Sequence, residues 1–393
     1  MTPAASRPGA LVLADGEIFE GEVAGAEPPG GVTAGEVVFN TVMCGYQEVL
    51  TDPSYAGQII TFTYPHIGNY GVSDADFESR RPFCRGLVVR DLVRTPSSWR
   101  AGGGLEEFLV RHGLSCLTGT DTRRLTRHIR SAGAMVGAFG TASETDLRAA
   151  AAAEVGTDGV DLVATVTCER PYLRATTRGD GRPPWRVSVV DFGVKTSILR
   201  RLARIAHVEV VPAGYGAEAI LARRPHGVLL SNGPGDPAAV RGATEVIEGL
   251  LGEVPVFGIC LGHQLLGATL GGETFKLPFG HHGGNHPVRH LATGVVEITS
   301  QNHNFCVADS GVAGTEITHL NLNDGTTEGL RSLEVPAYGV QHHPEAGPGP
   351  HDSGYLFGEF DSWLGELHGT EPDGSGFSGD DGSDPGDSPA TDA

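Results

Sequence analysis

Residues 258–264 read GICLGHQ. The residues before them, 254–257, are apolar and are predicted to form a short buried strand. After them Leu261, Leu265, Leu266 and Leu270 recur at helical spacing. Cys260 is therefore predicted at a strand-to-helix turn. Gly258 and Gly262 flank it in a G-x-C-x-G frame, the cysteine form of a nucleophile elbow. Such a turn is sharp, and a Cβ beside the nucleophile would meet the strand or the helix. The open N–H groups of a helix start favour negative charge there. A single cysteine more often serves as a small buried hydrophobe, and the other five read that way. Strand, glycine frame and helix together set Cys260 apart.

Working outward, strands and helices alternate on both sides of the elbow. Strands are predicted at 185–191, 208–211 and 227–230, with helices at 196–206, 217–224 and 243–251. This alternation implies a parallel sheet with helices on both faces, and a ligand site beyond the carboxyl ends of the strands. Strand 227–230 runs into Ser231-Asn232-Gly233-Pro234-Gly235-Asp236-Pro237. A Gly-Pro-Gly loop can aim N–H groups at an oxyanion; by itself it also reads as a plain turn. A later strand, 337–341, runs into His342-His343-Pro344-Glu345. His343 there can take a proton from Cys260, and Glu345 can hold the imidazole in the needed tautomer. His303, after a strand at 295–299, is a second candidate base, ranked lower because it lacks a nearby acid. His281, His282 and His286 raise the question of a metal. Their spacing fits no regular ligand pattern and no acid or thiol adjoins them, so no metal is expected. Residues 355–367 read as a closing amphipathic helix.

The first half reads differently. Residues 11–22 form a hairpin pattern turning at Asp15-Gly16, and 59–64 and 86–93 are strand candidates. Helices are predicted at 105–112, at 121–131 with Thr120 or Asp121 as cap, and at 144–154. The helix at 121–131 carries Arg123, Arg124, Arg127 and Arg130, read as a solvated face. Between 37 and 72 the only charged residues are Glu48 and Asp52. That suits a β-rich core and a partner interface equally. The expected organisation is a β-rich mixed domain over 1–165, a linker over 166–184, an α/β domain with a mainly parallel sheet over 185–368, and a disordered acidic tail over 369–393.

The chain has 393 residues and a net charge of −20, which argues against nucleic acid or an anionic membrane as partner. From residue 371 onward it has acids but no Lys or Arg. Six cysteines in this length make no disulfide framework. No signal-like segment begins the sequence, and no apolar run approaches the roughly 18 residues of a membrane span. A cytoplasmic location is expected.

With these residues in hand, the second domain resembles the class I (triad-type) glutamine amidotransferases, through G-I-C-L-G-H-Q, S-N-G-P-G-D-P and H-P-E. The segments GEVVFNT, GYQEVLTDPSY, TYPHIGNYGV, FGHHGGNHPV, SQNHNF and PEAGPGPHD resemble the small (glutaminase) subunit of carbamoyl-phosphate synthase. The resemblance runs from about residue 11 to residue 367. It implies that Cys260 is the nucleophile, His343 the base and then acid, and Glu345 the orienting carboxylate. Gly235 and Leu261 would supply oxyanion N–H groups. Ser54, Gly233, Gln264, Asn302, Asn304 and Phe305 would line the L-glutamine site. Asn304 stands where the family pattern has Gly, and costs strain only if its φ is positive. The resemblance also implies ammonia passing to a large subunit that uses ATP and bicarbonate, with Mg, in a heterodimer or a higher oligomer of such pairs. This chain has no phosphate-binding loop pattern of its own, and no cofactor is expected in it. Two other readings stay open: an ammonia supplier to a different synthase, which the first domain argues against, and a non-catalytic subunit, which the intact trio argues against.

Overall fold

The computed structural model describes residues 7–308, 312–369, 372 and 375–377. The expected tail over 369–393 lies largely outside these residues.

The first half closes into a seven-stranded barrel. Around it lie Arg7–Leu13, Ile18–Gly25, Ser115–Thr118, Gly86–Val88, Gln58–Phe62, Val32–Asn40 and Met135–Gly140, the last pairing back to the first. The strand period of two sends alternate residues inside and outside the barrel. Leu11 and Leu13 face a core with Phe19, Val37, Ile59, Val88 and Phe139. Val12, between them, faces outward and is covered by Leu147 and Ala151 of the helix Glu144–Ala153. The expected hairpin is the first strand pair, with Gly16 at φ 92° in its turn. Asp121 caps the helix Thr122–Ala132, accepting from the Arg124 N–H at 2.9 Å. The four arginines of that helix are exposed while Leu125 and Ile129 are buried. In the weakly charged stretch 37–72, Val38, Tyr46, Leu50, Tyr55, Ile60 and Phe62 all belong to the buried core of this half, so its composition reflects mainly burial.

The second half is built on a ten-stranded sheet. In spatial order it runs Tyr172–Arg174, Ala206–Pro212, Trp185–Asp191, Gly227–Leu230, Val256–Ile259, Ala337–Val340, Thr327–Ser332, Thr315–Asn321, Thr274–His290 and Val296–Val307. The five strands from Ala206–Pro212 to Ala337–Val340 are mutually parallel. Four antiparallel strands extend one side. The other edge strand, Tyr172–Arg174, falls in the stretch expected to be a plain linker. Its three residues, among Pro, Arg and Thr, are too few to show a period. Apolar clusters cover both sheet faces, one including Leu266 and Ile247, the other Phe360 and Leu364 of the closing helix Leu356–His368. No helix among the described residues is long and apolar enough to cross a membrane.

The elbow packs without slack. A Cβ on Gly262 would lie 2.1 Å from the Leu230 carbonyl oxygen, and one on Gly258 would lie 2.7 Å from the Gly262 carbonyl oxygen. Both obstacles are backbone, so neither can turn aside. Gly262→Ala is expected to cost about 3 kcal/mol or more, read as a lower unfolding midpoint in guanidinium. An unchanged midpoint would mean that the strand and helix are not held this closely.

Candidate active site

Cys260 caps the helix Leu261–Thr269 with φ 54° and ψ −106°. Only Arg224 and Ala346 share a positive φ among the described non-glycine residues. This strained conformation lifts the side chain out of the strand direction. The Cys260 N–H donates to the Val340 carbonyl at 2.9 Å, tying the elbow to the strand that leads to His343. The thiol sits 3.6 Å from the Asn302 carbonyl oxygen and 3.7 Å from Gln341 Nε2.

His343 and Glu345 meet as the sequence predicts. Nδ1 of His343 lies 2.7 Å from Glu345 Oε1, so it carries the proton and donates it to the carboxylate. Nε2 makes no hydrogen bond of ordinary geometry and lies within electrostatic reach of the Cys260 thiol. Burial opposes charge on His343, but Glu345 and then Cys260 outweigh it, lifting the imidazole to about 10. Glu345 is held by a residue the sequence reading missed. Lys195 Nζ donates to Glu345 Oε1 at 2.8 Å and to the Ala346 carbonyl at 2.6 Å, and both side chains are buried. Burial raises the Glu345 carboxyl; Lys195 first and His343 next bring it down to about 2. The one available signal was a lone Lys in the apolar run after strand Trp185–Asp191, at the site-bearing end of the sheet.

A cleft of about 310 Å³ opens beside the thiol. It is lined by Ser54, Gly233, Gly235, Cys260, Gln264, Asn302, Asn304 and Phe305, all singled out in the sequence, and also by Gln58, His282 and His303. Ser54 and Gln58 come from the barrel half, so the cleft lies between the two halves. Asn232 fixes Ser54, donating to its Oγ at 2.9 Å. Gln264 Nε2 donates to the Phe305 carbonyl at 2.7 Å and to Gln341 Oε1 at 3.1 Å. Leu261, His343 and Glu345 do not line this cleft. His343 instead borders an adjoining hollow of about 250 Å³ with Lys195 and Asn302. The N–H groups of Gly235 and Leu261 are not taken by any backbone carbonyl among the described residues. Gly233 must be Gly, since a Cβ would lie 2.2 Å from the Phe192 carbonyl oxygen. Asn304 is not in the positive-φ region, so it carries no strain of that kind.

The histidines find acids that the sequence order hid. His281 Nε2 lies 2.7 Å from Asp324, and its Nδ1 lies 3.8 Å from Glu328. Glu328 is also the nearest acid to His303, reached through Gln301, whose Nε2 donates to Glu328 at 2.9 Å and whose Oε1 faces His303 Nε2 at 3.0 Å. The expectation that no acid stands near these residues is thus corrected; the antiparallel extension of the sheet brings Glu328 of Thr327–Ser332 to them. Both His303 nitrogens are engaged, Nδ1 by the Phe305 carbonyl at 2.8 Å, which leaves His303 without a free nitrogen for Cys260. Ligand atoms of His281, His303 and Glu328 lie within 4.8 Å of one another. A metal ion there would have to displace the Gln301 and Asn321 amides, which already bond Glu328 at 2.9 and 2.7 Å.

The charge pairing sets the pH response. Glu345, held low, contributes stability that is present above the ordinary carboxylate range and lost as the pH falls through about 2. His343, held high, contributes stability present below about pH 6.5 and lost as the pH rises through about 10. Lys195→Met leaves a buried carboxylate without its cation, a cost of about 3–5 kcal/mol. Its acid unfolding midpoint is expected to move to higher pH, monitored by circular dichroism. An unmoved midpoint would remove Lys195 as the group that holds Glu345.

Comparison with known proteins converges on one family. Residues 11–139 match the family model described as the carbamoyl-phosphate synthase small chain, CPSase domain. Residues 188–363 match the model for class I glutamine amidotransferases. The chain is 49% identical over 366 residues to the carbamoyl phosphate synthase small chain of Syntrophotalea carbinolica, covering 89% of this chain and 96% of the relative. It is 51% identical over 370 residues to that of Thermosynechococcus vestitus, covering 90% and 95%. It is 48% identical over 352 residues to the pyrimidine-specific small chain of Bacillus subtilis, covering 89% and 94%. The chain belongs to the carbamoyl-phosphate synthase small chain family.

Proposed function

We propose that this chain hydrolyses L-glutamine to glutamate and ammonia through a thioester on Cys260. The observation that carries the reading is the strained Cys260 beside the cleft, within reach of a buried His343–Glu345 pair. Glutamine enters the cleft with its side-chain amide against the thiol. The thiol proton rests on His343 Nε2 before attack, because Glu345 and the sulfur together hold the ring as an imidazolium. The sulfur attacks the amide carbon, and the N–H groups of Gly235 and Leu261 receive the developing oxyanion. His343 returns the proton to the departing ammonia, leaving a glutamyl thioester. The same imidazole then takes a proton from water, whose oxygen displaces the sulfur and releases glutamate. Ser54, Gly233, Gln264, Asn302, Asn304 and Phe305 hold the amino-acid end.

Family membership supports a large-subunit partner. In this reading the ammonia passes to that subunit, which makes carbamoyl phosphate from bicarbonate and ATP, with Mg, for arginine and pyrimidine synthesis. The pair works in the cytoplasm as a heterodimer or an assembly of heterodimers, and this chain holds no cofactor.

Two measurements check the division of labour. In the two-subunit enzyme, Cys260→Ser is expected to abolish glutamine-dependent carbamoyl phosphate formation while ammonia-dependent formation continues; loss of both would contradict separate sites. Glutamine hydrolysis by the small subunit alone should withstand EDTA. Inhibition reversed by a transition metal would instead place a metal at His281, His303 and Glu328.

A further inference from the structure

His282 lies at the centre of a chain of five side chains along the cleft wall. Its Nδ1 is 3.0 Å from Asn302 Oδ1 and its Nε2 is 2.9 Å from Asn304 Oδ1. Each amide is oriented from its other end. Asn302 Nδ2 donates to Asp52 at 2.9 Å, and Asn304 Nδ2 donates to Glu36 at 2.9 Å. A carboxylate accepts, so each NH2 must face it and each amide oxygen must face the imidazole. The series therefore runs Asp52, Asn302, His282, Asn304, Glu36. Its two ends come from the barrel half and its middle from the sheet half. Glu36 also receives Gln58 Nε2, Thr157 Oγ1 and Lys276 Nζ. The packing leaves room for this contact and no more. At Gly280, φ 70°, a Cβ would lie 2.3 Å from Asn304 Oδ1 and 2.5 Å from His282 Nε2.

We propose that His282 is a positioning residue for the glutamine site. It lies within hydrogen-bond distance of both amide oxygens, and so holds Asn302 and Asn304 in the cleft wall and clasps the barrel half to the sheet half across it. The inference rests on the glutamine reading above. In the charged form both ring nitrogens donate. In the neutral form one nitrogen donates and the other presents a lone pair to an amide oxygen, so that amide is held less firmly. Burial, the largest influence, and neighbouring His281 outweigh Asn302, Asn304 and Glu36, which favour the charged form, and so lower the ring below the ordinary histidine value. The other groups facing the ring are Asp52 through Asn302, and the Tyr55 ring at 6.1 Å. His286 and His303 stand within electrostatic range. The clasp accordingly tightens towards acid pH.

The test is L-glutamine affinity, measured by calorimetry in the Cys260→Ser chain, with and without a change at His282. His282→Phe, which removes both ring nitrogens, is expected to weaken binding by about tenfold to a hundredfold. His282→Gln, with an amide donor that does not titrate, should recover part of the loss and flatten the pH dependence of binding between pH 5 and 8. In the chain with Cys260 intact, the same changes should raise KM far more than they lower kcat. Unchanged affinity in His282→Phe would overturn the inference. Should that variant fail to fold, a His282→Gln chain with the affinity and pH profile of the parent would overturn it equally. Absence of glutamine binding in the Cys260→Ser chain with His282 intact would instead defeat the glutamine reading.

Discussion

The site depends on one tight backbone crossing. Strand Val256–Ile259 must turn into helix Leu261–Thr269 within a single residue, and that residue is Cys260 at φ 54°. The turn exists because Gly258 and Gly262 let backbone meet backbone at distances no side chain tolerates. A cysteine is an unfavourable occupant of such a conformation by roughly 1–3 kcal/mol. The cost is carried by the apolar clusters on both sheet faces, in which Val256, Phe257, Ile259, Leu261 and Leu266 are buried. What the strain provides is position: a sulfur beyond the carboxyl end of the sheet, tied through the Val340 carbonyl to the strand bearing its proton acceptor.

A second constraint is electrostatic. His343, Glu345 and Lys195 are all buried, and burial alone would neutralise each of them. They keep their charges by sharing them. Lys195 offsets Glu345, and Glu345 offsets the proton on His343. Lys195 belongs to the first strand–helix connection of the sheet and Glu345 to the last strand end, so the trio closes only when the parallel sheet is complete. The barrel half enters from the opposite side through Ser54 and Gln58 on the cleft, and through Asp52 and Glu36 behind it. The cleft is therefore a property of both halves together.

Much of this was legible in the sequence because it is local. The elbow, the Gly-Pro-Gly loop and the His-Pro-Glu end each announce themselves within about seven residues, and strand–helix alternation places them on one sheet edge. The four-arginine solvent face follows from helical periodicity in the same way, and the cap is narrowed to Thr120 or Asp121, of which the structure uses Asp121. The missing parts are non-local. Lys195 reaches Glu345 across 150 positions, and Asn304 reaches Glu36 across 268; no spacing rule encodes such pairs. Glu328 meets His281 and His303 only because antiparallel strands extend the sheet. Tyr172–Arg174 becomes a strand by adding to the edge at Ala206–Pro212, not by any pattern of its own.

The central claim is that the Cys260 sulfur carries the acyl group. Acid quenching of the small subunit during glutamine turnover, followed by peptide mass spectrometry, tests it directly. A glutamyl adduct on the Cys260 peptide, forming and decaying at the rate of glutamate release, is the predicted result. Glutamate release with no adduct on Cys260, or with the adduct on another residue, would contradict the account.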